Sequence, residues 1–97
     1  MKRKILIVED TPAIARIQKY IALNAGYDVD IAASLTQTKE LLSKNSYFCA
    51  IVDFILPDAP AGEAIPCTIE NDIPTIVMTG NIDKNTRDTV EKYPIID

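Results

Sequence analysis

Three carboxylates and a hydroxyl stand directly after apolar runs in this chain. Lys4-Ile5-Leu6-Ile7-Val8 leads into Glu9-Asp10, Phe48-Cys49-Ala50-Ile51-Val52 leads into Asp53, and the run from Ile73 to Met78 leads into Thr79-Gly80. Carboxylate oxygens bind hard divalent cations. A cation beside a carboxylate and a hydroxyl suits a phosphoryl group, where anion meets anion and charge must be neutralised. The chain has no His, which removes imidazole catalysis and argues against zinc or copper. Taken singly, each feature has a plainer reading. Glu9-Asp10 is the polar end of a strand with Asp10 and Thr11 as helix caps, Asp53 is a loop acid, and Thr79-Gly80 is a turn. All three plain readings would have to hold in one chain.

The runs themselves say why those ends converge. Each is short and rich in β-branched residues, the mark of a strand buried on both faces of a parallel sheet. In open parallel sheets, ligands bind outside the carboxyl ends of the strands. Strand one spans about Lys4 to Val8. Thr11 offers an N-cap and Pro12 a first helical residue. Ile14, Ile17 and Ile21 then follow at helical spacing and read as the core side of that helix. Gly26 ends it. Asp28 to Ala32 alternates as strand two. Ser34 caps a second helix to about Lys44, with Leu35, Leu41 and Leu42 inward. Strand three is Phe48 to Val52. A Pro- and Gly-rich loop from Asp53 to Gly62 follows, then a short helix from Ala64 to Asn71. Pro66 is awkward inside it, so the helix either begins near Pro66 or is irregular. Strand four is Ile73 to Met78, with Pro74 at its start. Asp83 to Lys92 reads as a polar fourth helix, Tyr93-Pro94 breaks it, and Ile95-Ile96 begins a fifth strand. The alternation β-α-β-α-β-α-β-α-β predicts a doubly wound α/β fold with helices on both faces. A fifth strand cut at its start reads as a fragment of a larger protein, with an open sheet edge that invites self-association.

Bulk properties narrow the classes further. A length of 97 residues allows one domain. The net charge of −4 and pI of about 4.7 argue against nucleic-acid binding by this segment, which needs clustered Lys and Arg. No apolar run is long enough to span a bilayer. Met1-Lys2-Arg3-Lys4 is basic like a signal n-region, but Glu9-Asp10 cuts short the apolar stretch after it. The two cysteines, Cys49 in an apolar strand and Cys67, have no metal or redox spacing. A cytoplasmic location is expected.

At three strand ends in order, the residues Ile5-Leu6-Ile7-Val8-Glu9-Asp10, Asp53-Phe54-Ile55-Leu56-Pro57-Asp58 with Gly62, and Ile73 to Gly80 resemble a bacterial response-regulator receiver domain over essentially the whole chain. The resemblance implies a flavodoxin-like strand order 2-1-3-4-5, here with the last strand cut short and the last helix missing. It makes Asp53 the phosphoacceptor. Glu9, Asp10, Asp53 and the backbone carbonyl of Ile55 become the ligands of Mg2+, directly or through water. Thr79 becomes the phosphoryl contact and switch hydroxyl, and Asn81 a residue that tunes acyl-phosphate hydrolysis. It further implies a regulatory phosphoacceptor domain rather than an enzyme. Its partners are a histidine kinase or phosphotransfer protein, which supplies the phosphoryl group, and an output domain in the same full-length chain.

The chain also departs from the family pattern. The Lys that normally ends the fifth strand is absent, and neither Lys84 nor Lys92 replaces it. The loop from Asp53 to Gly62 is one residue longer than the commonest spacing. Two other readings stay open on sequence: a pseudo-receiver that docks without phosphotransfer, and a Mg2+-dependent phosphohydrolase with an Asp nucleophile. The second usually carries another Asp two residues on, where this chain has Ile55. A flavodoxin-like redox protein would need a Ser-, Thr- or Gly-rich phosphate loop where Glu9-Asp10 stands. Asp58 reads as a solvated loop acid.

Overall fold

A computed structural model describes residues 3–78. Four strands, β1 (Lys4–Val8), β2 (Asp28–Ala32), β3 (Cys49–Asp53) and β4 (Thr75–Met78), alternate with three helices, α1 (Pro12–Asn24), α2 (Leu35–Lys44) and α3 (Ala64–Glu70). All strand pairs are parallel, and the order across the sheet is β2-β1-β3-β4. This is the expected doubly wound sheet over the described span. The expected fourth helix and fifth strand lie outside the described residues.

Side chains alternate across the sheet, so each strand feeds two cores. Leu6, Val8, Ala50 and Val52 face α2 and α3, where Phe54, Leu56, Ala59 and Ile65 join them and Leu35, Leu41 and Leu42 pack against the cluster. Ile5 and Ile7 face α1 with Ala22, and Tyr27, Val29, Cys49 and Ile51 pack around them. Cys49 is thus half-buried in apolar surroundings, and burial pushes its thiol pKa up. No described helix is long and apolar enough to cross a membrane.

The helix ends follow from local chemistry. At the close of α1, the N–H of Gly26 bonds the carbonyl of Leu23, and that of Tyr27 bonds the carbonyl of Ala22. These are the two reverse bonds of a Schellman cap, with Gly26 at φ +93° in the left-handed region. The Ser34 hydroxyl accepts the N–H of Gln37 at 3.1 Å and so caps α2 as expected.

Three details differ from the sequence expectation, and a fourth, at Pro66, is settled by where α3 begins. The stripe Ile14, Ile17 and Ile21 is not core, since these residues are 45%, 61% and 63% exposed. α1 docks on β1 and β2 through small side chains, Ala15 and Ala22. Its isoleucines therefore lie beside the contact, and Ile21 lines an apolar groove with Ile51 and Ile76 over β3 and β4. Helical periodicity marks an apolar side, but the smallest residues on it make the closest approach. Thr11 occupies the N-cap position of α1 without capping through its side chain. Pro66 sits in the first turn of α3, where its missing N–H leaves no helical bond unmade. Lastly, β3 begins one residue later than expected and takes in Asp53, and β4 begins at Thr75.

Candidate functional site

Register places the acids. Val8 of β1 is level with Val52 of β3, so the next residues, Glu9 and Asp53, emerge side by side at the carboxyl edge of the sheet. The Glu9 N–H still donates to the carbonyl of Ala32 at 2.9 Å, which holds the residue in line with the strand while its side chain stays buried. Asp10 follows, further toward solvent. Ligand oxygens of Glu9, Asp10 and Asp53 all lie within 4.8 Å of one another. They open into a cleft of about 480 Å³ that Thr11, Ile55 and Met78 also line.

Among the described residues, no cation is paired with the three acids. Burial raises the pKa of the Glu9 carboxyl. The charges of Asp53 and Asp10 raise it further, against the lowering effect of the Thr11 N–H, which donates to Glu9 Oε1 at 3.1 Å. Burial also raises Asp53. There the Ile55 N–H, which donates to Oδ1 at 3.3 Å, pulls the other way, and the charge of Asp10 adds to the rise. Carboxylates this close repel each other when ionised. A proton or a cation relieves them, and a divalent ion with an oxygen-donor preference fits the donor set on offer.

Of the residues expected at the site, Glu9, Asp10, Asp53 and Ile55 are brought together around one cleft. Thr79 and Asn81 lie outside the described residues, although Met78, the residue before Thr79, lines the cleft. Asp58 is more than a solvated loop acid. Its Oδ1 accepts the N–H of Leu35 at 2.8 Å, and its Oδ2 accepts the N–H and the hydroxyl of Thr36, both at 3.2 Å. It therefore caps α2 from another loop, and these bonds hold its carboxyl below the usual range. No sequence signal singled it out, since the first turns of α1 and α3 lack an acid just as that of α2 does.

The comparisons agree with this geometry. The family model described as the response regulator receiver domain matches residues 5–97. No curated protein matches the chain in sequence. Among solved structures, the chain is similar to a two-component response regulator/GGDEF domain protein (33% identity, TM-score 0.78, 97% of this chain and 38% of that one). It is also similar to a CheY-like response regulator receiver domain protein from Methanospirillum hungatei JF-1 (26% identity, TM-score 0.85, 95% of this chain and 75% of that one). A third likeness is to a sensor protein from Polaromonas sp. JS666 (27% identity, TM-score 0.78, 96% of this chain and 74% of that one). The chain thus spans well under half of the first of these proteins. A parallel sheet of this order, an acidic cluster at the ends of β1 and β3, and a family match over nearly the whole sequence have one common explanation: the chain belongs to the response regulator receiver domain family.

Proposed function

We propose that this receiver domain is a phosphorylatable switch with Asp53 as its phosphoacceptor. Receiver domains are regulatory phosphoacceptors of two-component systems, and phosphorylation and Mg2+ are general features of the family. The observation that carries the reading for this chain is the convergence of Glu9, Asp10 and Asp53 within 4.8 Å at the carboxyl edge of the sheet. In the proposed reaction, an Asp53 carboxylate oxygen forms a bond to phosphorus while the donor's N–P bond breaks, and the imidazole of a partner's phosphohistidine leaves with the electron pair. Glu9, Asp10, Asp53 and the carbonyl of Ile55 would hold Mg2+. Bound there, the cation would neutralise charge between the two anions. Glu9 is fixed by the Thr11 N–H and by its own backbone bond to Ala32, so it presents an oriented oxygen to that site.

Thr79, next in sequence after β4, would contact the phosphoryl group, and Asn81 would tune its hydrolysis. Phosphorylation would shift an existing equilibrium toward the arrangement in which Thr79 meets the phosphoryl group. The partners would be a histidine kinase or phosphotransfer protein and an output domain, such as the GGDEF domain named in one structural relative. The test is intact mass after incubation with acetyl phosphate and Mg2+. The expected result is one labile phosphoryl adduct on the wild type and none on Asp53→Ala. An adduct that persists on Asp53→Ala overturns the assignment.

A further inference from the structure

We infer that Asp58 is a positioning residue for the metal side of the site, a strap that ties the phosphoacceptor loop to the start of α2. The inference rests on the proposed phosphoacceptor role of Asp53. Its basis is the arrangement of the loop. Leu56 and Ala59 exchange two backbone bonds, Leu56 N–H to the Ala59 carbonyl at 3.2 Å and Ala59 N–H to the Leu56 carbonyl at 3.1 Å. Pro57 and Asp58 form the tip of this tight turn. From the tip, Asp58 takes the N–H groups of Leu35 and Thr36 and the Thr36 hydroxyl.

The peptide unit that carries the Ile55 carbonyl is the same unit whose N–H belongs to Leu56. The bond from Leu56 N–H to Ala59 therefore sets the plane in which the Ile55 carbonyl is presented. Ala59 is the neighbour of Asp58, so the strap on α2 fixes the acceptor that fixes the carbonyl. The donors at the start of α2 are divided between two caps. Leu35 and Thr36 donate to Asp58, whereas Gln37 donates to Ser34. The hydrogen bonds of Ser34 stay within its own helix, whereas those of Asp58 link that helix to the loop after β3.

This division supplies the experiment. Mg2+ affinity, measured by calorimetry, and amide exchange at Leu56 are compared for the wild type, Asp58→Ala, Asp58→Asn and Ser34→Ala. Both Ala variants remove a cap from α2. Only the Asp58 variant should weaken Mg2+ binding, by about tenfold, as loss of an outer-shell support does in other metal sites. It should also speed exchange at Leu56. Asp58→Asn keeps one acceptor oxygen and should fall between. Equal loss of affinity in Ser34→Ala, or unchanged affinity in Asp58→Ala, overturns the strap. If the wild type takes up no Mg2+, the phosphoacceptor reading fails by itself. The strap is then judged on Leu56 exchange, and exchange that does not change in Asp58→Ala overturns it.

Discussion

Asp53, the last residue of β3, and Asp58, five residues on in the loop that follows, are pushed in opposite directions. Asp53 is raised because it is partly buried and faces Asp10, with one long bond from the Ile55 N–H as its main relief. Asp58 is lowered because two amides at a helix N-terminus and a hydroxyl converge on it. The difference separates two uses of a carboxylate. Asp58 has its lone pairs committed to donors of the same chain, so it holds structure and has little left to offer a ligand. Among the described residues, Asp53 has no cation paired with its charge. That is the condition of a group meant to meet a cation and an electrophile.

The largest predicted effect breaks the comparison by removing what stands between the two acids. Leu56 is fully buried in the core under α2 and α3. Leu56→Ala should cost about 2–5 kcal/mol, the range for a buried leucine that leaves a cavity. The midpoint of urea unfolding measures it. In the surviving folded protein, carboxyl titrations by NMR should show Asp53 and Asp58 both moving toward ordinary values, because neither end of the loop is held. A cost under about 1 kcal/mol would mean that burial does not anchor this loop.

A smaller change sharpens the comparison by disturbing one end alone. Gly62 has φ +79°, and a Cβ there would stand 2.7 Å from Cε2 of Phe54, the residue after Asp53. Gly62→Ala should cost about 1–3 kcal/mol from overpacking, on top of the left-handed backbone. Gly26 is also left-handed, but a Cβ there meets nothing within 4 Å. Gly26→Ala should therefore cost only the backbone penalty of about 1 kcal/mol. Thermal unfolding of both variants checks the order. Phosphoryl uptake should fall in Gly62→Ala, whose clash shifts Phe54 beside Asp53, and hold in Gly26→Ala.

Much of this site could be read from the chain because parallel strands carry their own signal. Buried on both faces, β1 and β3 are near-continuous apolar runs, and the residues after them must emerge at one edge. Glu9, Asp10 and Asp53 were therefore legible as neighbours before any coordinates, whereas Ile55 came in only through the family resemblance. The bonds of Asp58 were not, because its partners are 22 and 23 residues away and no local pattern encodes them. The isoleucines of α1 misled for a related reason. Periodicity identifies an apolar side, whereas the close approach of a helix to a sheet depends on where its small residues lie, here Ala15 and Ala22. Pro66 fits the expected alternative of a helix that begins near it, since a residue that breaks a helix interior is harmless in its first turn.

The subtlest prediction sets the two acids on opposite limbs of one stability curve. A carboxyl whose folded pKa is depressed contributes stability above its unfolded value of about 4, and that contribution is lost as pH falls through the folded value. Asp58 should therefore govern the acid limb. A carboxyl whose folded pKa is raised behaves in the reverse sense. Asp53 and Glu9 cost nothing below about pH 4, and their unfavourable charge builds as pH rises through their folded values. Without metal, stability should thus climb and then decline between strongly acid and neutral pH. Asp58→Asn should flatten the climb and leave the decline, whereas Asp53→Asn should flatten the decline, raise the melting temperature at neutral pH and leave the climb. Saturating Mg2+ should also remove the wild-type decline, because the cation supplies the positive partner that a proton supplies at low pH. Melting temperatures across pH, with and without Mg2+, measure all of this. A decline that survives Asp53→Asn unchanged would show that the crowding of Asp53 does not carry the strain assigned to it here.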